Sequence, residues 1–258
     1  MNALAIDLGN TRLKAARLLA PGSLEPVGRP IEWPAALLPG TDLQHAILES
    51  VAAGERCLVT ASRRDALPDL LDALDAVGLA HEVAGKDFQI PMPTRYEEPA
   101  QLGLDRWLGS LAGWRRTRAA CIVVGAGTAL TIDASSDRGE HLGGVIAPGF
   151  GLALAALHEG GRLPGLSVDA VGILGASVIG RTTGDCIHGG LAHVLGDGLV
   201  EAVRSMREAM GEGVHLLVTG GDAAIVSGLL SSRAPEIAQE LVEHLVLEGL
   251  AYAGGFWP

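Results

Sequence analysis

The same short pattern opens each half of the chain. Ala3 to Leu8 is an apolar run that leads into Asp7-Leu8-Gly9-Asn10-Thr11, and a second run follows from Arg12 to Leu19. Further along, Ala120 to Val124 is apolar, Gly125-Ala126-Gly127-Thr128 interrupts it, and Ala129 to Asp133 resumes. Two strands about a glycine-bearing turn read as a β-hairpin. Each hairpin is followed by helical periodicity and further short strands: Arg56 to Thr60 and Leu79 to Val83 in the first half, His141 to Ala147 and Val214 to Thr219 in the second. A chain that repeats this order is committed to an α/β layer architecture. The pattern predicts two domains, 1–116 and 117–258, each a mixed sheet flanked by helices. No long linker separates them, so they are expected to pack closely.

Helices are expected over Asp42 to Ala53, Asp65 to Val77, Leu102 to Arg116, Gly149 to Glu159 and much of Gly184 to Met210. One more is expected from Glu236 to Tyr252, where Ile237, Leu241 and Leu245 recur four apart. Lys86 to Pro99 carries three prolines and reads as irregular. With 48% hydrophobic but only 3% aromatic residues, the core must be built from Ala, Val, Leu and Ile.

The formal net charge of −11 and the lack of a basic stripe argue against nucleic-acid binding. The pairs Arg63-Arg64 and Arg115-Arg116 are isolated. Cys57, Cys121 and Cys186 show neither CxxC pairing nor zinc spacing, which suits reduced thiols in a cytoplasmic protein. No secretory pattern opens the chain, and no apolar run approaches the roughly 20 residues of a membrane span.

Four motifs carry chemistry. In the first hairpin, turn amides can cradle phosphate oxygens, Gly9 allows close approach, and Lys14 lies three residues on. Asp7, an acid at a strand end, suits a Mg²⁺ held largely through water. An ordinary hairpin turn favours Asn and Gly as well. The second hairpin is not a Walker A loop, because no Gly-Lys-Ser/Thr follows, nor a dinucleotide fingerprint, because a strand follows instead of a helix. Two such hairpins could hold the β- and γ-phosphates from opposite sides of a cleft. The third motif, Val218-Thr219-Gly220-Gly221-Asp222, offers close approach to an adenine ring or ribose. The fourth runs from Tyr96 to Trp107 and sets Asp105-Arg106 near a helix start, where the helix favours anions, Arg106 can fork onto a carboxylate, and Asp105 can accept a proton. Trp107 and Trp114 share a helix face and are expected to pack in a core or a dimer contact.

In this order the motifs resemble the sugar kinase/actin-like ATPase superfamily, whose members clamp ATP between two ribonuclease-H-like domains. Gly103-Leu104-Asp105-Arg106 after Tyr96-Glu97-Glu98-Pro99 narrows the resemblance to the type III pantothenate kinase family. So do Gly143 to Gly149, Arg162-Leu163-Pro164 and Ile179-Gly180-Arg181-Thr182-Thr183. The resemblance implies two duplicated mixed sheets around an ATP cleft and ATP-dependent phosphorylation of pantothenate to 4'-phosphopantothenate, the first step of coenzyme A synthesis. It implies ATP contacts from Asp7, Gly9, Asn10, Thr11, Lys14 and Thr128. Pantothenate contacts would come from Tyr96, Gly103, Leu104, Asp105, Arg106 and Thr183, with Asp105 as general base. It further implies Mg²⁺, a monovalent cation (potassium or ammonium) and a homodimer. The family pattern Asp-x-Gly-Thr-Ala carries an aspartate associated with that cation, and this chain has Gly125 there. Asp133 is one acid that could compensate. The alternative is a catalytically weakened homologue acting as a transcriptional accessory or regulatory protein.

Overall fold

The computed structural model describes residues 3–27, 31–32, 56–163 and 165–258. The helix expected over 42–53 lies outside them, as does Pro164 of the Arg162-Leu163-Pro164 motif. The chain forms two units: the described residues up to Arg116 together with His244–Pro258, and Thr117–Glu243.

In the first unit, strands β1 (Ala3–Leu8) and β2 (Arg12–Leu18) form the antiparallel hairpin, with Asp7 opposite Lys14 and Leu8 opposite Leu13. Strands β3 (Leu24–Pro26) and β4 (Ile31–Glu32) both pair with β2. Strand β5 (Arg56–Ala61) lies parallel to β1 on its other side. Helix α1 (Leu67–Ala76) then leads to β6 (His81–Val83), parallel to β5. Every residue of β1 is buried, because the sheet is covered on both faces. Leu4, Ile6 and Leu8 face Leu70 and Leu74 of α1. Ala3 and Ala5 face the opposite core with Leu108 and Leu111 of helix α2 (Leu104–Thr117). Trp107 and Trp114 pack against that second core.

The second unit repeats the scheme. Strands β7 (Cys121–Ala126), β8 (Ala129–Ser135) and β9 (His141–Pro148) are antiparallel neighbours. Helices α3 (Phe150–Glu159), α4 (Ala170–Leu174), α5 (Thr183–Gly190) and α6 (Asp197–Met210) follow, with a π-helical turn at Leu191–Gly196 joining α5 to α6. Strand β10 (His215–Thr219) is parallel to β7, helix α7 (Ala223–Arg233) follows, and β11 (Glu240–Leu241) is parallel to β10. Ile122, Val124, Ala126, Leu130 and Ile132 form the core face beneath the helices. Read outward from the first strand, the orders β3-β2-β1-β5-β6 and β9-β8-β7-β10-β11 are the same, with the same strand directions. The duplicated mixed sheets expected from the repeated hairpin are therefore present.

The tail departs from the expectation. A continuous helix from Glu236 does not form, and the last residues do not join the second unit. Ile237 is buried in the second core, Leu241 is 55% exposed on β11, and Leu245 opens helix α8 (Leu245–Ala253). Backbone pairing with β10 captures Glu240–Leu241 as a strand, which overrides the four-residue spacing. Helix α8 completes the first unit instead. Its Leu247, Leu250 and Ala251 join the core that holds Ala3, Ala5 and Leu108. A methyl group at Gly249 would overlap the Leu108 carbonyl, so glycine is what lets α8 approach α2 this closely. Arg116 Nη1 donates to both Glu248 carboxylate oxygens, at 3.0 and 2.9 Å.

Candidate functional site

The first hairpin ends in a tight turn. Gly9 N donates to Arg12 O at 3.0 Å, and Asn10 and Thr11 are exposed beyond it. Asp7 sits just below, only 8% exposed. Burial pushes its carboxyl from an ordinary value of 3.8 up to about 7. The Lys14 ammonium across the ladder opposes this shift, and the nearby Asp105 carboxylate adds to it. Asp7 Oδ1 has no hydrogen-bond partner. A buried carboxyl with an orphaned oxygen beside a second carboxylate has the chemistry of a cation ligand. A hydrated Mg²⁺ fits here, since it takes one or two carboxylates and keeps several waters.

Asp105 and Arg106 come from the first turn of α2. Asp105 Oδ1 accepts from Arg106 N at 2.9 Å. A Cβ at Gly103 would stand 2.8 Å from that same oxygen, so glycine leaves the carboxylate its room. Arg106 is 8% exposed, and its Nη1 donates to Tyr96 Oη at 2.7 Å. Its guanidinium carbon lies 5.7 Å from the Tyr96 ring centroid. Trp107 Nε1 donates to Met92 O at 2.9 Å, which ties the irregular segment to α2. Leu104 packs against Gly85 and the core. The first unit thus brings Asp7, Lys14 and Asp105 within electrostatic reach of one another. On the same helix as Asp105 it holds a buried guanidinium, which can bind a carboxylate while Asp105 takes a proton.

In the second unit the turn is held by backbone. Gly127 N donates to Ala129 O at 3.1 Å, Gly149 N to Thr128 O at 2.9 Å, and Asp222 N to Ala126 O at 3.0 Å. A methyl group at Gly149 would overlap the carbonyls of Gly127 and Thr128, and one at Gly220 would overlap that of Ala126. Gly220 also has φ +108°, which favours glycine. The close approach expected there for a nucleotide is thus made, at Gly220, to the protein's own turn. Helices α3 and α7 begin at these two junctions; the first amides of α7 are taken up by backbone carbonyls, Asp222 N by Ala126 O and Ala223 N by Gly220 O, and the exposed Thr128 sits beside the start of α3. Thr183 is exposed at the start of α5, beside the capping box formed by Thr182 and Asp185.

At Gly125 a Cβ would lie 2.6 Å from Thr131 Oγ1, so the Thr131 side chain fills that space. Asp133 does not stand in for the missing acid. It is 1% exposed and paired with the fully buried His141 at 2.9 Å. The sequence reading also passed over Thr60, the register partner of Asp7 on β5, which is 1% exposed with an unpartnered Oγ1. Its signal was a hydroxyl within the apolar run Cys57 to Ala61.

The type III pantothenate kinase family model matches residues 3–206. A type III pantothenate kinase of Ectopseudomonas mendocina is 32% identical over 258 residues, covering 97% of this chain and 98% of that protein. One from Alcanivorax borkumensis is 37% identical over 162 residues, covering 60% of this chain and 59% of that protein. In fold, the structure of a candidate 2-dehydro-3-deoxygalactonokinase from Sinorhizobium meliloti superposes with a TM-score of 0.56 at 12% identity, over 99% of each chain.

Proposed function

The chain belongs to the type III pantothenate kinase family, and we propose from that premise how its residues divide the reaction. It transfers a phosphoryl group from ATP to pantothenate, giving 4'-phosphopantothenate for coenzyme A synthesis. Phosphoryl transfer needs positioning and charge neutralisation more than covalent help. Beyond the turn that Gly9 closes, the amides of Asn10 and Thr11 and the Lys14 ammonium receive phosphate oxygens, Gly9 allowing their close approach. Asp7 binds the hydrated Mg²⁺ that accompanies ATP, and this ion supplies neutralisation of the triphosphate charge. Arg106, oriented by Tyr96, holds the pantothenate carboxylate, with Gly103 and Leu104 contacting the substrate beside it. Asp105 accepts the proton of the attacking primary hydroxyl. Thr128 contacts ATP and Thr183 contacts pantothenate.

The convergence of Asp7, Lys14 and Asp105, with Arg106 beside Asp105 on α2, carries this reading. The assay is pantothenate-dependent ADP release, with Asp105→Asn as control. Loss of a general base lowers turnover by on the order of 10²–10⁴-fold. Pantothenate-independent release, or a fully active Asp105→Asn, would overturn it.

Two finer points belong to the same reading. Gly125 contributes no carboxylate, Thr131 fills its space, and Asp133 is committed to His141, so the response to potassium or ammonium is weak. Val145 and Ile146 on the edge strand β9, with Val171, Val178, Ile179 and Val194, leave apolar surface on the second unit that supports a homodimer. Among the described residues no helix is long and apolar enough to cross a membrane.

A further inference from the structure

Two neighbouring side chains at the carboxyl end of the first sheet each bury a polar atom that has no hydrogen-bond partner among the described residues. They are Asp7 Oδ1 and Thr60 Oγ1. The residues are register partners on the parallel strands β1 and β5, and strands so paired stand about 4.8 Å apart. Alternation puts both side chains on the face of Ala5 and Leu58, which is the face covered by α2, the helix of Asp105. Ser62, the next alternate residue, also buries an unpartnered Oγ, while its amide donates to Leu8 O at 3.0 Å.

Packing does not account for Thr60. Its strand neighbours Cys57, Leu58 and Val59 are apolar and buried. Valine has the same shape as threonine and would leave no orphaned hydroxyl. The second sheet supplies an internal control. By register, Gly125 takes the place of Asp7 and Thr219 that of Thr60. Thr219 Oγ1 donates to Glu243 O at 3.4 Å, so its hydroxyl has a use inside the fold. Among the described residues the Thr60 hydroxyl has no partner, and a group entering beside Asp7 would supply one.

We propose that Thr60 is a positioning residue of the divalent-cation site, its hydroxyl and Asp7 Oδ1 together holding one water of the hydrated Mg²⁺ that arrives with ATP. The inference rests on the ATP-binding reading of the first unit. Mg²⁺ dehydrates reluctantly and is held through its waters. A water between a carboxylate and a hydroxyl has both its protons and a lone pair engaged, which fixes its orientation. Partners of this outer kind are typically worth 10–100-fold in metal affinity.

The test compares wild type with Thr60→Val and Thr60→Ser. It reads the Mg²⁺ concentration for half-maximal ATP-induced thermal shift and, separately, for half-maximal ADP release. Thr60→Val is expected to match or exceed the wild-type melting temperature without ligands. It should need about tenfold more Mg²⁺ in both readouts, with KM for pantothenate unchanged. Thr60→Ser, which keeps the hydroxyl, should return to near the wild-type Mg²⁺ requirement. Should the valine variant fail to fold, Thr60→Ala is read in the same way. A Thr60 variant without a hydroxyl that keeps the wild-type Mg²⁺ requirement overturns the inference and leaves the kinase reading intact. A wild-type protein with no ATP-induced shift at any Mg²⁺ concentration removes both.

Discussion

The turns that head the two sheets share a topology and differ in chemistry. Beneath the first, Asp7 is buried between Lys14 and Thr60 on the neighbouring strands. Beneath the second, the corresponding positions are Gly125, Thr131 and Thr219, with no charge among them. What the second turn has instead is enforced backbone geometry, with Gly149 and Gly220 pressed against its carbonyls. The ladder is the same in both sheets, and the chemistry at its end is not. One sheet presents side-chain charge suited to a cation and a proton. The other presents an uncharged turn whose amides are held by its own carbonyls.

The strongest way to break this contrast is to remove the charge. Asp7→Asn should lower turnover by on the order of 10²–10³-fold, the scale of losing one electrostatic contact to transferring phosphate. It should also stabilise the ligand-free protein. The folded carboxyl titrates near 7 rather than 3.8, so the folded state binds more protons between those values. Wild-type stability then falls as pH rises from about 4 to about 7 and levels off above. Melting curves should show Asp7→Asn drawing ahead across that window and keeping its lead at pH 8. A variant no more stable than wild type at pH 8 would mean that the burial penalty is met within the protein.

The second turn should respond to bulk instead. Gly149→Ala or Gly220→Ala forces the turn carbonyls to move, at a cost of about 1–3 kcal/mol. Calorimetric nucleotide titration should show weakened ATP binding, with KM for pantothenate little changed in whatever protein folds. Equal damage to both substrates would argue that the turn serves the fold alone. Gly125→Asp sharpens the comparison further. The new side chain meets Thr131, so the single variant should lose about 1 kcal/mol, and potassium response should not rise. Adding Thr131→Ala should recover stability, which a pair of chemical denaturation curves can decide. The smallest effect separates the two threonines. Thr219→Val should cost about 1 kcal/mol for its lost hydrogen bond, whereas Thr60→Val costs none. Denaturation midpoints that move alike would erase the distinction.

The elements legible in the sequence are those whose pattern is local. Short apolar runs about glycine-bearing turns gave both hairpins, and Asp7, Asp105 and Arg106 stood out as charged residues at a strand end and a helix start close to a glycine. Helix α7 went unread because Gly228 and three serines break up its short apolar run, so the contrast between its faces is weak. The tail misled because Ile237, Leu241 and Leu245 keep a helical spacing while serving one core, a sheet edge and another core in turn. Periodicity cannot register that the chain leaves one unit for the other at Glu243. Asp133 was misjudged because its partner His141 lies across a strand pair with a register shift, which spacing alone does not reveal. Thr60 looked like strand filler, since threonine is a good strand former, and only the ladder places it beside Asp7.

The return of α8 to the first unit also has a meaning for biosynthesis. A ribosome delivers β1 before the second unit and residues 244–258 only after all of it, yet Leu247, Leu250, Ala251 and Trp257 belong to the core beneath β1. The second unit is contiguous and can close while translation continues. The sheet that carries Asp7 must wait, so strand β1, made before the second unit, is sealed after it. A nascent chain stalled before residue 244 would present a finished second unit tethered to an open first one, its Ala3 and Ala5 face still awaiting its cover.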